Sequence, residues 1–116
     1  MSDTLNIVYP RSAPGSFALT YSVGGSAPNL STGYTASLEI YRSGISTLSS
    51  PDVAADTTTG ITLGTSGAIT INLVTINSAL NLIDATEAVW IYRLSVTPTG
   101  NPEQSVCGGY LVRAQP

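Results

Sequence analysis

Seven carboxylates and one cysteine are the side chains here with obvious reaction chemistry, and no histidine or lysine accompanies them. Two carboxylates suffice for glycoside hydrolysis, one protonating the leaving oxygen while the other attacks or activates water. That makes Glu39, Glu87 and Glu103 the residues to weigh. Glu39 alternates out of a predicted strand near Arg42 and is expected to pair across a sheet. Glu103 falls in Thr99-Gly100-Asn101-Pro102-Glu103, which reads as a hairpin tip. No spacing brings two of the three into one pocket, so surface roles are expected. Asp52, Asp56, Asp84 and Glu87 stand in predicted loops that could offer oxygen ligands to calcium. A calcium loop clusters more oxygens than these, and solvated turn residues are the expectation, with no metal and no cofactor.

Lack of histidine excludes a Ser-His-Asp triad, a Cys-His pair and any imidazole metal ligand. Cys107, in the predicted last strand beside Gly108, is expected to be a buried free thiol that packs as a small hydrophobe. A single cysteine cannot form an internal disulfide, so nothing points to an oxidising compartment. Met1-Ser2-Asp3 lacks the basic and apolar segments of a secretory signal, which leaves the sequon Asn29-Leu30-Ser31 without significance. No apolar run approaches the roughly 18 residues of a membrane span. Folding in a cytoplasm is expected.

The tyrosines and the tryptophan offer recognition, not reaction. Trp90 and Tyr34 alternate with polar residues as core positions do, and Trp90 is the expected sandwich anchor. Tyr9, Tyr41 and Tyr110 are expected to face outward, and amphipathic tyrosines on a surface of low charge are what interfaces favour. Together with Arg11 they form the candidate interface set.

Apolar alternation with period two is the dominant signal along the chain. It predicts strands over Leu5 to Tyr9, stopped by Pro10, and over Phe17 to Val23, Tyr34 to Ile40 and Trp90 to Val96, with Pro98 ending the last. Ile61-Thr62-Leu63 and Ile69 to Leu73 flank Gly64-Thr65-Ser66-Gly67 and predict a hairpin whose glycines supply positive φ. The final strand runs from Val106 to Ala114, where Gly108-Gly109 marks a bulge or a close backbone approach. Residues 43–59 read as a long loop with a short edge strand near Thr47-Leu48. Ile76, Leu80 and Ile83 fall at i, i+4 and i+7 and predict a helical turn over Thr75 to Ile83, capped by Thr75. About seven short strands with turns at this spacing imply one all-β domain: an antiparallel β-sandwich, immunoglobulin-like, with a jelly roll or small barrel as the alternative.

Charged residues are 9% of the 116, against roughly 25% in an ordinary soluble domain. The net charge is −3, and the four arginines (Arg11, Arg42, Arg93, Arg113) are scattered. Phosphate neutralisation needs a basic stripe, so nucleic acid is not an expected partner, and an anionic membrane is disfavoured for the same reason. Serine and threonine supply 30 residues, many alternating with apolar ones, which suits solvated strands.

Several segments together resemble a family. Thr32-Gly33-Tyr34-Thr35-Ala36-Ser37-Leu38-Glu39-Ile40-Tyr41-Arg42 is similar to the "GYTA-x-L-x-I-R" stretch of small structural proteins encoded among the virion genes of tailed bacteriophages. Gly60 to Gly64 and Gly67 to Leu73 resemble the "GITLG…G-x-ITI-x-L" hairpin that follows there. Tyr92 to Val96 and Gly108 to Val112 are similar to its "Y-x-L-x-V" and closing "G-x-L-V" strands. Order and spacing agree over residues 30–114. The resemblance implies a β-sandwich module of the phage particle, on a tail or baseplate appendage or as a capsid decoration, without catalytic residues. Residues 1–29 fall outside it and read as an N-terminal strand and partner-binding arm, with 30–116 as the body.

The expected function is therefore a non-enzymatic virion protein, assembled in the host cytoplasm, that binds other virion proteins and forms homo-oligomers or multi-copy assemblies. A carbohydrate-binding module that recognises host surface glycan is the alternative.

Overall fold

Strands that alternate apolar and polar residues bury one face only, so they must be stacked in layers. The computed structural model describes residues 3–10, 12–42, 53–57, 59–83, 86 and 88–114, and places them in two packed sheets with one helix. The elements are β1 (Asp3–Thr4), β2 (Ile7–Pro10), β3 (Ser16–Thr20), β4 (Tyr34–Arg42), β5 (Val53–Asp56), β6 (Ile61–Leu63), β7 (Ala68–Asn72), α1 (Leu73–Ile83), β8 (Val89–Pro98) and β9 (Gln104–Ala114). The large sheet runs β1-β9-β8-β4-β5, with β2 also on β9, and the small sheet runs β3-β7-β6. The antiparallel sandwich is found, and the barrel is not closed. The helix is too short to cross a membrane.

The N-terminal segment departs from expectation. In place of one strand from Leu5 to Tyr9 there are two, β1 and β2, and both lie parallel to β9, with Asp3 opposite Cys107 and Val8 opposite Val112. Pro10 is the last residue of β2 and does not stop the strand before it. Between the two strands, Leu5 N–H donates to the Gly108 carbonyl at 2.9 Å and Tyr110 N–H to Asn6 Oδ1 at 3.0 Å. A Cβ on Gly109 would sit 2.7 Å from the Leu5 oxygen, so the Gly108-Gly109 pair serves the close approach of another chain segment. The bulge lies one step earlier: Leu94 opposes Cys107 while Ser95 opposes Ser105, which leaves Val106 extra. β1 and β2 belong to the large sheet and β3 to the small one, so the strands of residues 1–29 are part of both layers of the sandwich.

Three further expectations are corrected. Val53–Asp56, read as loop, is an edge strand on β4 with Leu38 opposite Ala55; Thr47-Leu48 lies outside the described residues. The helix begins at Leu73, and Asn72, not Thr75, caps it, its Oδ1 accepting from Val74 N (3.0 Å) and Thr75 N (3.3 Å). Ile76 and Leu80 are buried as their spacing requires, but Ile83 is 37% exposed at the helix end. The Gly64–Gly67 hairpin forms, but its positive φ values fall at Ser66 (56°) and Gly67 (73°), so of the two glycines Gly67 alone supplies one. A Cβ on Gly67 would lie 2.1 Å from the Tyr21 carbonyl, so glycine is required there by space as well as by φ.

The core lies between the sheets and under the helix. Ile7, Leu38, Ile40, Ile69, Ile71, Leu80, Trp90, Leu94 and Val96 are all at most 2% exposed. Trp90 is the expected anchor, at 0%. Its Nε1 is the one buried side-chain nitrogen or oxygen among the described residues with no hydrogen-bond partner.

Candidate functional site

Among the described residues the carboxylates do not converge. Glu39 stands directly across from Arg93 on β8 and accepts from its Nη2 at 2.9 Å, so the expected cross-sheet pair forms and the cation is Arg93. Arg93 also donates to the Tyr41 hydroxyl at 2.8 Å, which, with Glu39, strengthens its positive charge. Glu103 accepts from Ser95 Oγ at 2.9 Å. Asp56 folds back on its own turn, accepting from Thr59 N and Oγ1. Asp52, Asp84 and Glu87 lie outside the described residues, and among those described no three metal-ligating side chains come together.

Cys107 is a buried free thiol. Its Sγ lies 3.6 Å from the Tyr92 hydroxyl, which donates to the Leu5 carbonyl. Burial, reinforced by Cys107, pushes the Tyr92 phenol far above its ordinary range, so this hydroxyl stays protonated and acts as a fixed donor that pins the N-terminal segment. Above it a cleft of about 550 Å³ opens between the sheets, lined by residues 4–5, 19–22 and 105–107, none of them charged.

The candidate interface residues separate. Tyr9 and Tyr41, expected to face out, are 2% and 1% exposed. Tyr9 alternates inward on β2 and donates to Asn77 Oδ1 on the helix at 2.9 Å. Tyr41 is on the outer face of β4, but its ring is covered there and lies 5.4 Å from the Arg93 guanidinium. Neither can offer a stacking platform to a sugar. Tyr110 is 51% exposed as expected. Arg11 lies outside the described residues.

Two features escaped the sequence reading. The first is Arg113, which alternates inward on β9 and is 1% exposed. Its Nη1 donates to Asn81 Oδ1 (2.6 Å) and Asn77 Oδ1 (3.3 Å), and its guanidinium carbon lies 6.0 Å from the Trp90 ring centre. The only hint in the sequence was Asn77 and Asn81, four apart along an otherwise apolar helix face.

The second is a band on the outer face of the large sheet. Across β2, β9 and β8 the register aligns Val8, Val112 and Val89, and across β9, β8 and β4 it aligns Tyr110, Ile91 and Tyr41. Among the described residues no charged residue stands in these rows, but Arg93, paired with Glu39 at the next outward position, reaches over the Tyr41 ring and forms the rim at that end. Val8 is 64% exposed, although valine ordinarily belongs in a core.

No protein-family model matches the chain, and a search of curated proteins returned no match either.

Proposed function

We propose that this chain is a non-enzymatic structural protein of a tailed-bacteriophage particle, which binds other virion proteins through the outer face of its large sheet. The observation that carries the docking role is the apolar band of Val8, Val112 and Val89 beside Tyr110 and Ile91, in which Val8 and Tyr110 stand most exposed. An apolar face rimmed by polar groups marks an interaction surface, and a flat sheet face with one exposed tyrosine suits another protein better than it suits a small molecule. The particle setting is supported by the motif resemblance over residues 30–114. Charge-poor contacts also fit a particle exposed to changing salt, because apolar burial is not screened as ion pairs are. The position within the particle is a capsid decoration or a tail or baseplate appendage.

The test is reconstitution. Phage particles stripped of this protein should rebind it, in low and high salt alike, and a Tyr110→Asp variant that folds normally should fail to rebind. A protein that ignores stripped particles removes the proposal.

A further inference from the structure

We propose that the free edge of β3 is a self-recognition site at which a second copy of this chain pairs its own β3 antiparallel to the first, joining two small sheets into one. Hydrogen bonding shows the edge is open. Leu73 N–H donates to the Gly15 carbonyl at 3.0 Å and Tyr21 N–H to the Gly67 carbonyl at 2.8 Å. In an antiparallel ladder with this register the odd-numbered residues turn their N–H and C=O groups toward β7. Ser16, Ala18 and Thr20 therefore aim theirs away from it, and among the described residues β3 ends its sheet with no strand beyond.

Exposed edges are normally guarded by shortness, lysine, proline, a bulge or an inward charge. The five residues of β3 make it longer than β1, β2, β5 or β6, its register to β7 is unbroken, and it contains no charge and no proline. Such an edge is a template for an extended backbone.

Charge favours a second copy as that backbone. No Asp, Glu, Lys or Arg occurs anywhere in residues 12–38, so two β3 strands meet without like-charge repulsion although each chain carries −3. Antiparallel pairing about a two-fold axis is self-complementary: each outward N–H finds a carbonyl on the other copy. Packing agrees. Phe17, Leu19 and Tyr21 face the core yet are only partly buried, and Leu19 and Tyr21 wall the uncharged cleft. The partner's Leu19 and Tyr21 would extend the same layer and close that side.

Sedimentation across a concentration series reads the pairing directly. The wild-type chain should form a reversible dimer. Ala18→Pro, which deletes an outward N–H that the ladder to β7 does not use, and Thr20→Lys, which sets like charges on the paired strands, should each weaken it at least about tenfold with far-UV circular dichroism unchanged. A synthetic peptide of residues 15–23 should compete. A chain that stays monomeric up to about 1 mM, or a dimer indifferent to both variants and the peptide, overturns the inference. So does a monomer whose Ala18 and Thr20 amides gain exchange protection only when phage particles are added, since the edge then belongs to a different chain. Particle binding is read at the outer face of the other sheet, so either proposal can fail while the other stands.

Discussion

Arg113 Nη1 lies 2.6 Å from Asn81 Oδ1, an arginine on the last strand held by an amide of the only helix among the described residues. Asn77 Oδ1 accepts from the same nitrogen at 3.3 Å and from the Tyr9 hydroxyl at 2.9 Å, so β2, β9 and α1 meet at one buried polar knot. The helix buries Leu73, Ile76 and Leu80 against the core, and the knot fixes its position. Arg113→Ala removes a donor to Asn81 and one of the donors to Asn77, and leaves a cavity beside Trp90. It should cost about 3 kcal/mol, whereas Tyr9→Phe, which leaves Arg113 on Asn77, should cost about 1 kcal/mol. Urea unfolding followed by Trp90 fluorescence measures both, as shifts in midpoint at constant slope.

Two glycines separate backbone strain from steric exclusion. Gly67 and Gly100 have similar positive φ, 73° and 79°, but a Cβ on Gly67 meets the Tyr21 carbonyl at 2.1 Å while one on Gly100 meets nothing within 4 Å. Gly100→Ala should cost about 1 kcal/mol, the left-handed penalty alone. Gly67→Ala should cost about 1–3 kcal/mol more through forced displacement. Equal losses in thermal unfolding would mean the Tyr21 carbonyl yields freely.

Alkaline pH should loosen the fold through Tyr92. Its phenol ionises far above the unfolded value of 10.0 because it is buried beside Cys107. Below that value both states keep the proton and the folded state is unaffected. Above it the unfolded chain releases the proton while the folded chain holds it, so stability falls by up to about 1.4 kcal/mol per pH unit. Tyr92→Phe should remove this increment from the alkaline limb of a stability–pH curve. A limb identical in wild type and variant would show that Tyr92 titrates normally.

The apolar band and its rim should respond oppositely to substitution. Glu39→Gln breaks an exposed ion pair with Arg93, whose side chain is 54% accessible, and should change stability by less than about 1 kcal/mol without affecting particle binding. Val8→Asp puts a charge at the exposed β2 end of the valine row and should abolish binding while the monomer stays folded. Pull-down by stripped particles at two salt concentrations tests both. Binding that tracked Glu39 instead would mean the rim is the contact.

Antiparallel strands were legible because each carries its own alternation: Tyr34 to Ile40, Ile69 to Ile71 and Trp90 to Val96 all bury the side their pattern indicates. The edge strand β5 was hidden, since Val53-Ala54-Ala55-Asp56 is too short to show a period against its Ser- and Thr-rich surroundings. Tyr9 and Tyr41 were misplaced for different reasons. Tyr9 was read as outward although Ile7 and Tyr9 alternate together, and its polar end is satisfied inside by Asn77. Tyr41 does lie on the outer face, but its ring is covered there. Of the three candidate interface tyrosines, Tyr110 alone is exposed as its position indicated.

What the sequence determined by itself is chemical: with no histidine or lysine and few charges, it offers mostly apolar and hydroxyl-bearing side chains for contact. Alternation likewise settled that the domain is layered β, because period two is a local property of consecutive residues. Only the tertiary structure decided that the N-terminal strands lie parallel on β9, that Arg113 is buried beneath the helix, and that valines and a tyrosine from distant strands line up on one outward face. Those arrangements depend on pairings across a hundred positions, such as Val8 with Val112, and cross-strand register is fixed by the packing of whole faces, which no local window contains.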